Sequence, residues 1–110
     1  MKKLLLSIAF LLPAMGMMAQ TQVKTAEGIL EGKDLSGITV FKGIPFAAPP
    51  VGNLRWKAPQ PAQKWQGVRE VKEFGPNPMQ EPIFGDMNFG TKTNSEDCLY
   101  LNIWTPAKTM

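Results

Sequence analysis

The sequence predicts a chain of short, mostly antiparallel strands joined by Pro- and Gly-rich loops. Ten Pro and ten Gly in 110 residues punctuate it too often for long helices. Two stretches carry strand chemistry: the β-branched and aromatic run Ile38-Thr39-Val40-Phe41, and residues 99–104, where Leu99, Leu101 and Ile103 alternate with Tyr100, Asn102 and Trp104. With 44% hydrophobic and 19% charged residues, the composition is that of a folded soluble protein.

The first element is a targeting signal rather than a fold element. Lys2-Lys3 begin it, residues 4–12 form an apolar run interrupted by Ser7, and Pro13 and Gly16 precede Ala19. Spanning a bilayer takes roughly 20 apolar residues, so this run is too short to be a stable membrane anchor. It reads as a cleavable signal over residues 1–19, cut after Ala19, for a secreted or periplasmic protein. No Cys follows the run to take a lipid. The formal charge is +3, but without Lys2 and Lys3 ten basic residues face nine acidic ones, a net +1. Such a balance gives no reason to expect a nucleic-acid partner.

In the mature part, residues 20–25 are polar, and Glu27-Gly28-Ile29-Leu30-Glu31-Gly32 forms a short strand between glycines. Asp34-Leu35-Ser36-Gly37 is a turn, because Asp and Ser bond their own backbone and Gly accepts positive φ. Residues 38–41 form the second strand, and the two strands are expected to pair as an antiparallel hairpin. Pro45, Pro49, Pro50, Pro59 and Pro61 forbid a helix and impose an extended, turning path. Phe46, Val51, Leu54, Trp56 and Trp65 interleave with them, so this path packs on something. Val68, Val71 and Phe74 mark a further short strand. Residues 76–94 form a long loop with apolar side chains, the kind that more often lines a binding surface than a solvated connection. The last strand, residues 99–104, is apolar on both faces and expects cover on both.

Catalytic chemistry is missing from this inventory. A nucleophile needs a base, and the sequence holds no His and only three Ser: Ser7, Ser36 and Ser95. Neither a Gly-x-Ser-x-Gly elbow nor a Gly-rich phosphate loop occurs. Cys98 is the single cysteine, read as a small buried hydrophobe. No metal or cofactor site is expected. Glu96-Asp97 would point to opposite faces of an extended chain, so a structural role is expected for the pair: one carboxylate on a cation, the other on backbone donors.

Two stretches nonetheless carry a recognisable pattern. The first is Phe41-Lys42-Gly43-Ile44-Pro45-Phe46-Ala47-Ala48-Pro49-Pro50-Val51-Gly52-Asn53-Leu54-Arg55-Trp56, followed by Pro59-Gln60-Pro61 and Trp65-Gln66-Gly67-Val68. The second is Ser95-Glu96-Asp97-Cys98-Leu99-Tyr100-Leu101-Asn102-Ile103-Trp104-Thr105-Pro106. In order and spacing they resemble the N-terminal region of type-B carboxylesterases, the α/β-hydrolase family that includes the cholinesterases. The resemblance covers roughly residues 23–107.

That resemblance implies an α/β fold of which residues 20–110 are an N-terminal fragment, truncated before the oxyanion loop and nucleophile elbow. It implies hydrolysis of a small-molecule ester by a Ser-Glu/Asp-His triad lying beyond this chain. The present chain is expected to be inactive alone and to need the missing C-terminal portion for packing. Arg55 and Glu96 match a structural ion pair of the family, expected to be at least partly withdrawn from solvent. Phe84, Met87 and Phe89 match the loop at the substrate gorge mouth and are substrate-pocket candidates, with simple packing of the loop as the alternative. Animal members tie the Cys of the second stretch to an earlier Cys, where this sequence has Pro78. Two other readings stay open: a small exported binding module on the same scaffold, and the remnant of an interrupted gene.

Overall fold

The computed structural model describes residues 21–82, 84–86, 90–91 and 93–107; the expected signal lies outside them. Among the described residues, six strands form two three-stranded sheets. The first contains β1 (Gln22–Lys24), β2 (Ile29–Glu31) and β5 (Val68–Glu70), in the order β1-β2-β5. The second contains β3 (Lys33–Leu35), β4 (Ile38–Pro45) and β6 (Tyr100–Thr105), in the order β3-β4-β6.

The expected hairpin exists with a different partner. Residues 38–41 pair with β3, with Leu35 opposite Ile38, and not with the glycine-bounded strand before it. Ser36 and Gly37 alone connect β3 to β4, both at positive φ (53° and 91°), which is the twist that a two-residue hairpin loop requires. Asp34 Oδ1 accepts from the Gly37 amide at 3.3 Å, as an Asp beginning a turn does. β2 instead pairs antiparallel with β1, in the segment read as merely polar, and parallel with β5.

A bulge in β4 joins the two sheets. Phe41 lies opposite Ile103 and Ile44 opposite Leu101, so Lys42 and Gly43 together face Asn102. Gly43 adopts φ +73°, and its amide is held by Asn102 Oδ1 at 2.9 Å. The disturbed ladder turns the Lys42 amide towards the other sheet, where it donates to the Val71 carbonyl at 2.6 Å and forms a parallel bridge to Lys72. A Cβ on residue 43 would lie 2.6 Å from the Glu73 carbonyl oxygen, so glycine is required by both torsion and space.

The core sits at this junction. Leu30, Phe41 and Val71 are 4%, 3% and 1% exposed, with Val23, Ile44 and Trp65 packed against them. Trp65 spans the first sheet: its indole Nε1 donates to the Ile29 carbonyl at 3.0 Å, and its amide to the Glu27 carbonyl at 3.0 Å. Its ring covers Gly28 so closely that any side chain there would collide with it. A charged strip runs along the same sheet, where Lys72 Nζ lies 2.8 Å from Glu31 and 3.1 Å from Glu70. The ammonium holds the Glu31 carboxyl below its usual range, helped by the Gln22 amide.

β6 departs from the cover its pattern expects. Among the described residues it pairs with β4 alone, and Leu101, Ile103 and Trp104 remain exposed.

Candidate functional site

The two recognisable stretches meet in one place. The Pro-rich arm leaves β4 with the Phe46 amide donating to the Leu99 carbonyl at 3.2 Å, and the Ala48 amide to the Gln60 carbonyl at 2.9 Å. Prolines keep the arm extended, and Ala47 is buried beneath it. A 3₁₀ turn, Gly52–Leu54, then reverses the chain and presents Arg55. Its fork meets Glu96 with two parallel bonds, Nε to Oε1 and Nη2 to Oε2, each 2.6 Å. This is the bidentate geometry that a planar guanidinium makes and an ammonium cannot. The pairing raises the Arg55 pKa and lowers that of Glu96. Both side chains are about half exposed, at 52% and 44%, so solvent screens the pair considerably.

The next residue absorbs the turn's geometry. Trp56 has φ +60° and is fully exposed. With Pro50, Met79 and Cys98 it lines an open cleft of about 280 Å³ around the ion pair.

Backbone hydrogen bonds close the base of the long loop. The Asn77 amide donates to the Thr93 carbonyl at 3.0 Å, and the Ser95 amide returns to the Asn77 carbonyl at 2.8 Å. Asn94 Nδ2 adds a bond to the Gln80 carbonyl at 2.9 Å. Cys98 is a free thiol, and it shares the wall of a second cavity with Pro78. The loop base is therefore held by peptide groups and the Asn94 side chain. Phe84 is exposed and does not line the cleft beside Arg55; Met87 and Phe89 lie outside the described residues.

The Glu96-Asp97 pair diverges as an extended chain requires. Glu96 meets Arg55, while the Asp97 carboxylate lies near enough to the Tyr100 hydroxyl to act on its titration. Burial and then this carboxylate raise the Tyr100 pKa. Neither described serine is set up as a nucleophile: Ser36 lies in the hairpin loop, and Ser95 Oγ accepts the Asp97 amide at 3.1 Å. Among the described residues the arrangement positions chain segments.

The sequence profile of the carboxylesterase family matches residues 19–110. The chain belongs to the carboxylesterase family. It is 44% identical to phenmedipham hydrolase of Pseudarthrobacter oxydans over 88 residues, which are 74% of this chain and 17% of that protein. Carboxylesterase 1E of Mus musculus is 43% identical over 100 residues, 77% of this chain and 18% of that one. Among solved structures, the Geobacillus stearothermophilus carboxylesterase EST55 at pH 6.8 superposes with a TM-score of 0.67 at 46% identity, covering 80% of this chain and 17% of that one. A thermophilic PNB esterase gives 0.73 at 37% identity, covering 78% and 18%. These relatives are α/β-hydrolases, so the two small sheets are a segment of that fold, and the chain spans under a fifth of their length.

Sequence reasoning found Arg55 and Glu96 through the resemblance. It missed the Asn77–Asn94 closure, the exposed Trp56 and the Lys72 strip. An asparagine at each end of a loop is too common to mark a closure, and Lys72 meets Glu31 only through the parallel pairing of β2 with β5.

Proposed function

We propose that this chain is the N-terminal part of an exported carboxylic-ester hydrolase and hydrolyses no ester by itself. One observation carries the reading: a family match over residues 19–110 in a sequence without a single histidine. Acyl transfer through a serine needs a base to take the hydroxyl proton and later return it to the leaving group. Here no imidazole is available, and the Ser–Glu/Asp–His triad belongs to sequence outside these residues. The substrate class is a small-molecule ester.

Within that enzyme the Arg55–Glu96 pair and the Asn77–Asn94 closure fix both ends of the long loop. Phe84, Met87 and Phe89 then line the entrance to the substrate pocket. Residues 1–19 act as the export signal, removed after Ala19.

The test is a burst assay with p-nitrophenyl acetate on the purified chain, prepared free of host esterases. Neither stoichiometric nitrophenol release nor turnover above buffer is expected; one equivalent released per chain overturns the reading. Intact mass of the exported product is expected to begin at Gln20, and retention of residues 1–19 refutes cleavage after Ala19.

A further inference from the structure

We propose that Gln20 closes on itself once it becomes the first residue of the mature chain, its α-amine forming a pyroglutamyl lactam that caps β1 against exopeptidases. The proposal rests on the export reading above, which places the cut after Ala19 and so gives Gln20 the new amino terminus. Position decides the chemistry. A cut one residue earlier would leave Ala19 first, and a cut one residue later Thr21. Neither side chain carries an amide at the reach that a five-membered ring needs.

The step balances without help from any other residue. The unprotonated α-amine attacks the side-chain carbonyl carbon, Cδ. The N–Cδ bond forms, the Cδ–Nε2 bond breaks, a proton passes from the amine to Nε2, and ammonia leaves. Nothing is oxidised or reduced. An α-amine titrates at about 7.7–8.0, so an unprotonated fraction is present near neutral pH. Attack within one residue also avoids the entropy of bringing two molecules together.

The structure shows what lies directly behind the cap. The described chain begins with Thr21, whose carbonyl accepts the Gly32 amide at 2.8 Å. Gln22 follows opposite Glu31, its Nε2 donating to Oε1 at 2.9 Å. Val23 then packs against the core of Leu30, Phe41 and Val71. An aminopeptidase working inward from Gln20 would remove the bond to Gly32 at its second step and Val23 two steps later. A lactam offers such an enzyme no primary amine to bind.

Intact mass and amino-terminal sequencing of the exported full chain test it, with Gln20→Ala as the variant that keeps a primary amine. The parent is expected to weigh one ammonia less than residues 20–110 as encoded and to give no product in amine-directed sequential degradation. Once denatured and treated with pyroglutamyl peptidase, it is expected to read Thr21 first. Under a broad aminopeptidase the Gln20→Ala chain is expected to shorten while the parent keeps its mass. A mature chain that begins at Gln20 with a free amine overturns the proposal and leaves the export reading standing. A first residue other than 20 overturns both. Equal resistance of parent and variant to the aminopeptidase overturns the protective role and assigns it to the β1 ladder itself.

Discussion

Phe41 and Ile103 are direct partners in the β4–β6 ladder, yet one is 3% exposed and the other 44%. The first sits where two sheets meet: the Lys42 amide reaches Val71, and Leu30 and Val71 close over the ring's side of the junction. The second sits on a strand that, among the described residues, has a neighbour along one edge only. Similar apolar residues, one ladder apart, thus have opposite solvent environments. Apolar content gives a strand something to bury, and a second layer decides whether it is buried. The junction is a small core, whereas β6 is a surface available to further chain.

The strongest way to break this contrast is Phe41→Ala. Large-to-small changes at buried Phe cost about 3–5 kcal/mol, a large share of the 5–15 kcal/mol that stabilises whole domains. Hydrogen-exchange protection in β2, β4 and β5 is expected to disappear, while Ile103→Ala leaves those amides nearly as they were. Equal effects from both variants would mean that the junction is no more a core than β6.

Gly43→Ala sharpens the role of the bulge. A non-glycine residue held at positive φ costs about 1–2 kcal/mol, and the new methyl group would press on the Glu73 carbonyl. Exchange of the Lys42 amide, which bonds Val71 across the junction, is expected to accelerate more than exchange in the β3–β4 hairpin. Uniform acceleration would show that the bulge does not join the sheets.

The smallest expected effect concerns the charged strip. Lys72 lowers the Glu31 pKa, so the folded carboxyl releases its proton more readily than the unfolded one. The linked stability is fully present above the ordinary carboxylate pKa and is lost as pH falls through the lower folded value. In Lys72→Met, carboxyl NMR titration is expected to show Glu31 shifted up towards its ordinary value, the Gln22 amide still holding part of the shift, with the acid-side loss of stability shallower. An unchanged Glu31 titration would assign the shift to the Gln22 amide instead.

Much of the site was legible because local chemistry writes it locally. Prolines at 45, 49, 50, 59 and 61 dictate an extended arm, and a Ser-Gly pair permits a two-residue hairpin loop. Arg55 and Glu96, 41 residues apart, were joined only by resemblance to a family, since no spacing rule connects them. The hairpin's partner was misjudged for a related reason. Glycine-bounded Ile29-Leu30 looked more strand-like than Lys33-Asp34-Leu35, but a two-residue loop pairs whatever immediately precedes it.

By itself the sequence placed strands at β2, β4, β5 and β6 and a turn at Asp34-Leu35-Ser36-Gly37, of which Asp34 and Leu35 belong instead to β3, and it determined the absence of a histidine base and, through its two motifs, the family. Tertiary structure alone decided that β2 runs parallel to β5, that the bulge at Gly43 carries the Lys42 amide to a second sheet, and that Leu30, Phe41 and Val71 are buried while Ile103 is not. Torsional preference and hydrophobic period act over a few neighbouring residues. Sheet order and burial depend on which distant segments arrive at the same place, and a one-dimensional pattern does not encode that meeting except through the packing it permits.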